Sequence, residues 1–176
     1  MKRILPSTQV IATDTAPIRA GKKQAGVSLM DFIMYLILAV FVFLGIVKLY
    51  NLGVAWKSQA NTVSAVTQIK AAAEKVKSIN HTGVSMSKLC DVKRNALSSM
   101  ICGSNNGEGT NEYGGNYSVA ATTGNAQRIT VSITNVDTQY IDDLADTLAK
   151  VSAGNCNSAT GCSTVSVTDS TITVTM

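Results

Sequence analysis

The sequence predicts an α+β chain: a long amino-terminal α-helix, apolar all round in its first half, packs by its second half on a small antiparallel β-sheet. Three observations predict it. From Val27 to Val47, 21 residues contain one acid, Asp31, and no proline; at 1.5 Å per residue that run covers about 30 Å, the hydrocarbon thickness of a bilayer. Val63, Val66, Ile69, Ala73, Val76 and Ile79 then recur at spacings of three and four, while Lys57, Lys70, Lys75 and Lys77 fall between them. Beyond Tyr117 the period changes to two, the mark of strands with one face buried. The expected organisation is a leader over 1–26, a helix over 27–79 and a globular head over 80–176.

Each element has its own signal. A helix over 27–79 would measure about 80 Å; its first half suits lipid or other copies of itself, its second half a domain surface. Gly45 and Gly53 interrupt it only as small residues, and close packing is the expected reason. Asn80-His81-Thr82-Gly83 supplies Asn and Gly where a helix cap sits, with His81, the only histidine, expected as a capping or solvated residue. Met86, Leu89, Cys90, Leu97, Met100 and Ile101 suit one or two short helices. Residues 103–115, rich in Gly and Asn, read as a loop. Tyr117, Val119 and Ala121, then Ile129, Val131 and Ile133, alternate with polar neighbours around a turn at Gly124-Asn125. Asp137 is the expected N-cap of a helix running to about Lys150, with Ile141, Leu144, Ala145 and Leu148 on one face. Val165 to Val167 and Ile172 to Val174 form the last hairpin, turning at Asp169-Ser170.

The formal charge of +4 is a topology signal. Lys2, Arg3, Arg19, Lys22 and Lys23 against Asp14 account for all of it, and residues 27–176 hold ten basic and ten acidic residues. Basic residues before a membrane helix hold that end in the cytoplasm. A nucleic-acid partner is not expected, because beyond Val27 the longest basic run is Lys93-Arg94.

Enzyme chemistry finds little footing. Asp142, Asp143 and Asp146 sit where acids favour a helix's first turns, and no phosphate loop, histidine motif or nucleophile elbow occurs. No catalytic residue, cofactor or metal site is expected. Cys90, Cys102, Cys156 and Cys162 all follow the membrane segment, on the side opposite the basic leader. That compartment oxidises thiols, so four cysteines read as two disulfides with three connectivities open. Neither pair has zinc spacing.

Around the start of the apolar run, Lys22-Lys23-Gln24-Ala25-Gly26 followed by Val27-Ser28-Leu29-Met30-Asp31 resembles the processing site of type IV prepilins. A secretory signal peptide is cut after its apolar run; here the small-residue site precedes it, so cleavage would keep the run. The resemblance implies that a membrane-embedded prepilin peptidase cuts between Gly26 and Val27 and methylates the new amine of Val27. It also implies that Asp31, fifth residue of the product, serves assembly by pairing with that amine on a neighbouring copy. The family has glutamate there. A long leader and a first residue other than phenylalanine resemble the type IVb branch, as do the run Asn111-Glu-Tyr-Gly114-Gly115-Asn-Tyr-Ser-Val119, the strand at Ile129 to Val136 and the helix with Leu144-Ala145.

What the resemblance implies is the pilin ladle fold and a structural role. Copies would sit in the bacterial inner membrane as precursors, meet the pilus assembly machinery there, and polymerise into an extracellular filament for adhesion, aggregation or cell contact. Type IVb pilins tie the helix after the second strand to the carboxyl-terminal region by a disulfide, and Ile141 occupies the matching position here. Two local bridges are therefore expected, Cys90 to Cys102 and Cys156 to Cys162, worth about 2 to 3 kcal/mol each in the chain-entropy picture. The alternatives are a pseudopilin, a minor pilin, or a signal-anchored periplasmic binding domain that keeps residues 1–26.

Overall fold

A computed structural model describes residues 29–176. The expected leader, with the cleavage residues Gly26 and Val27 and the methylated amine, lies outside the described residues. The chain divides into two units, ending at Phe43 and starting at Leu44. The described part of the first is a stretch of helix α1, Leu29–Val76, with every side chain exposed. The second is an α+β head built on the remainder of that helix.

Along α1 the buried residues are Ala55, Thr62, Ala65, Val66, Ile69, Ala72 and Ala73. Their three- and four-residue spacing makes one stripe, and the stripe joins the core of the head. The expected face is rotated slightly: Val63 and Val76 are at its half-buried margins, and Ile79 is 84% exposed. The helix also stops earlier than expected, at Val76 rather than Ile79. Its last turn closes with the backbone N of Lys77 on the Ala73 carbonyl at 2.9 Å. Beyond it, the backbone N of His81 donates to Ala126 O at 2.8 Å and Gln127 Nε2 donates to Ile79 O at 3.3 Å. Those contacts with the strand hairpin draw the chain out of the helical path, a tertiary effect invisible in local sequence. Around Gly45 and Gly53 a side chain would meet nothing within 4 Å, so neither is packed within one chain.

Two short helices follow, α2 at Met86–Leu89 and α3 at Ser99–Cys102. Four strands come next in an antiparallel sheet: β1 Tyr117–Thr122, β2 Asn125–Ile133, β3 Val165–Thr168 and β4 Thr171–Thr175, in the order β1-β2-β4-β3. Helix α4, Ile141–Val151, precedes β3. Register puts Val119 opposite Val131 and Val131 opposite Val174, with Ile133 between Tyr117 and Ile172. One face is thus Tyr, Val and Ile, all buried. The other is hydroxyl-rich, with Thr122 and Thr130 hydroxyls 3.0 Å apart and those of Ser132 and Thr173 at 3.4 Å.

Helix α4 begins three residues later than expected, capped at Tyr140 rather than Asp137. Asp137 Oδ1 accepts from the backbone N of Gln139 at 2.9 Å, and its carbonyl accepts from Tyr140 N at 3.0 Å. It therefore heads a turn, and Tyr140 is the residue at the helix cap. Leu144, Ala145, Leu148 and Ala149 of α4 are fully buried. Gly115 lies so close to the Thr134 carbonyl that no Cβ fits.

Three substitutions check this packing in urea unfolding of the detergent-solubilised chain. Ile69→Ala lowers the unfolding free energy by about 2 to 5 kcal/mol and Gly115→Ala by about 1 to 3 kcal/mol. Val54→Ala, on the exposed part of α1, changes it by less than about 0.5 kcal/mol. An equal effect at Val54 and Ile69 would contradict the assigned face.

Candidate functional site

The one acid of the apolar run, Asp31, is in the first turn of α1, where a carboxylate favours the helix dipole. It is exposed, and among the described residues no Lys, Arg or His lies within 4 Å of it. Its expected partner, the amine of Val27, is outside the described residues. Every residue from Leu29 to Val54 is exposed, including Phe32, Tyr35, Phe41 and Phe43. α1 is long and apolar enough to cross a membrane.

In the head, the cysteines pair locally. Cys90 joins Cys102 with 5.5 Å between Cα atoms, and Cys156 joins Cys162 at 5.9 Å. The first bridge ties the end of α2 to the end of α3. The second closes the loop after α4, and Asp146 braces it: its Oδ1 accepts from the backbone N of Ala159 at 2.7 Å and from Ser158 Oγ at 2.8 Å. These bonds, the backbone one foremost, hold the Asp146 carboxyl below its ordinary value. Asp142 and Asp143 are in the first turn of α4 as expected, whereas Asp146 is a loop anchor. Among the described residues no three His, Cys, Asp or Glu side chains are placed to hold a metal.

His81 is not the solvated cap expected from its position. It is 2% exposed, with Nε2 3.1 Å from Glu74 Oε1. A carboxylate only accepts, so Nε2 carries the proton and Nδ1 is left buried without a partner. Lys77 Nζ reaches the other Glu74 oxygen at 2.8 Å. Hydrogen bonding from Lys77, ahead of that from His81, holds the Glu74 carboxyl below its ordinary value against the opposing effect of burial.

A second constellation gave no motif. Asn111 is buried and acts as a knot: its Nδ2 donates to Thr134 O at 2.7 Å, and its Oδ1 accepts from the backbone N of Gly115 at 2.7 Å and of Tyr113 at 3.0 Å. Asn135 Nδ2 donates to Tyr113 O at 2.8 Å. The two together fix Glu112 and Tyr113 beside α1, where they line a groove of about 350 Å³ with Tyr50, Val54, Asp137 and Tyr140. Burial, and after it the nearby Glu112 and Asp137 carboxylates, raises the Tyr113 phenol above its ordinary value, with Thr62 opposing the rise. The Thr62 hydroxyl donates to Ser58 O at 2.8 Å, and the Tyr113 hydroxyl has no partner at hydrogen-bond geometry. Tyr117, 4% exposed, is pushed up to about 12, chiefly by burial. The only sequence signal for this groove was the Asn111-to-Gly115 run, which marks a tight loop and says nothing of the acids.

Comparison with protein-family models, curated proteins and solved structures finds no match. The surfaces of the chain itself therefore carry the functional reading.

The raised phenol at Tyr117 has a pH consequence. The fold favours the neutral form, so its contribution is complete below pH 10.0, the ordinary phenol value, and is lost as pH rises toward about 12. Urea midpoints should fall over that window, and Tyr117→Phe should make the fall shallower. An unchanged alkaline profile in Tyr117→Phe would show that the loss arises elsewhere.

Proposed function

We propose that this chain is a structural subunit of a type IVb-like pilus, without catalytic activity of its own. It is cut after Gly26 by a prepilin peptidase, methylated on Val27, and polymerised from the inner membrane into an extracellular filament for adhesion, aggregation or cell contact. The supporting observation is the surface of α1: all side chains from Leu29 to Val54 are exposed, and none from Phe32 to Val47 is charged. A continuous apolar surface of that length does not persist in water on a monomer. Lipid covers it before assembly, and other copies of the helix cover it afterwards.

Asp31 gives the assembly its register. Once lipid and water are replaced by neighbouring helices, an unpaired carboxylate is costly, and the amine of Val27 on an adjacent copy is the complementary charge. The bond forms only when two helices are offset by the reach of those groups. The hydroxyl-rich sheet face and the bridged loops then belong to the filament's exterior, where oxidation of the cysteines protects loops that bury few apolar residues.

Mass spectrometry of the mature protein tests the processing step: the expected amino terminus is Val27 carrying one added methyl group. An intact leader excludes the pilus reading altogether. Asp31→Ala should be processed normally and yield no filaments in electron micrographs, whereas Asp31→Glu should retain them. Ordinary filaments from the alanine variant would exclude the pairing with Val27.

A further inference from the structure

Two surfaces of the head present side chains of opposite charge. The first is the groove between α1 and the loops at 111–113 and 137–140. Among the described residues neither Glu112 nor Asp137 has a cation within 4 Å. Both are nonetheless held in place, Glu112 by Asn61 Nδ2 on Oε1 at 3.0 Å and Asp137 by its bond to Gln139. Each keeps a second carboxylate oxygen with no hydrogen bond among those residues. Tyr50, Tyr113 and Tyr140 supply aromatic wall; Lys48 shares an adjoining hollow with Asp137 and Tyr140 but comes within 4 Å of neither acid.

The second surface is the tip at 91–95. Val92 is 92% exposed, the most exposed large apolar residue in the described chain, and Lys93 and Arg94 beside it are exposed too. Lys93 has no acid within 4 Å among the described residues, and Arg94 has only an approach of 4.0 Å to Asp91. The tip is also tied down locally. It begins next to the Cys90–Cys102 bridge, and Asp91 Oδ1 accepts from the backbone N of Lys93 at 2.9 Å. The Asp91 carbonyl accepts from the backbone N of Arg94 at 2.9 Å, and Asn95 turns the chain at φ 43°. Local bonds of this kind reduce the conformational freedom that docking must remove.

We propose that Val92, Lys93 and Arg94 of one copy seat in the groove of the next. Val92 packs on the tyrosine wall, and the two cations meet Glu112 and Asp137, with the Arg94 guanidinium placed to stack on a tyrosine ring. Plug and socket are different patches of one chain, and in the proposed docking each copy gives its plug to one neighbour and its socket to another, a head-to-tail contact. Head-to-tail contacts that do not close into a ring propagate as a helical filament. The docking deepens the assembly reading above and rests on it only in that copies of the chain meet: it adds a second, charged contact between heads to the apolar contact between helices.

The test uses the full-length chain in its host membrane, with p-benzoylphenylalanine in place of Val92. Irradiation should give a dimer whose linked peptide contains Tyr50 to Ser58, Glu112-Tyr113 or Asp137 to Tyr140. Lys93→Glu with Arg94→Glu should cut that product about tenfold, as should Glu112→Lys with Asp137→Lys, and the four changes in one chain should restore it. Peptide mapping of the two native disulfides checks that each variant folds. No dimer, a link to another peptide or to a different protein, or no rescue by the fourfold variant overturns the docking. Filaments without the groove product overturn it and leave the filament reading standing. The groove product in cells that make no filaments leaves the docking standing and overturns the filament.

Discussion

The seam between α1 and the sheet sets the geometry of the head. On the helix side it is Thr62, Ala65, Val66, Ile69, Ala72 and Ala73; on the sheet side it is Val119, Ile129, Val131, Ile133, Ile172 and Val174. Val66 and Ile69 supply the bulk on the helix side, with three alanines and a threonine buried around them. Burying one such side chain fully is worth about 1.5 to 3 kcal/mol, and the sheet presents an apolar residue at every second position to meet the stripe. Helix α4 adds Leu144 and Leu148 to the same core.

Polar groups then do what the core does not reach. The connections at 90–102 and 156–162 contribute few buried side chains, and each is closed by a disulfide. Asn111 spends its side chain on three backbone groups, Asp146 on a loop amide and hydroxyl, and His81 on Glu74. The outcome is a head whose loops are held by specific bonds and project fixed side chains outward. That suits the subunit role proposed above, in which every copy presents the same surfaces to its neighbours.

The two units place different demands on the chain. In Leu29–Phe43 composition decides: apart from Asp31 no side chain is charged and none is buried, so packing within the chain sets no rotation of that stretch. In Leu44–Met176, one face of each element must be buried, so register and rotation matter. A single helix meets both demands because its pattern changes from apolar all round to one small-residue stripe.

Much of this was legible in the residues. The period of 3.6 along α1 and α4, the period of two at Tyr117 to Ala121 and at Ile129 to Ile133, and the turns at Gly124 and Asp169 are local properties, and local sequence determined them. Both turns have positive φ in the structure, 79° at Gly124 and 51° at Asp169, as Gly and Asp allow. The apolar run and its lone acid are equally local. What the tertiary structure decided were the matters that depend on distant residues. The helix ends at Val76 because the hairpin at Ala126 and Gln127 takes the chain that follows. His81 is buried because Glu74, one face of α1 away, holds it. Glu112 and Asp137, 25 positions apart, share a groove because Asn111 ties one loop to Thr134 and the sheet carries the other beside it. Sequence spacing encodes which residues share a face of one element; only packing brings residues of different elements to one surface.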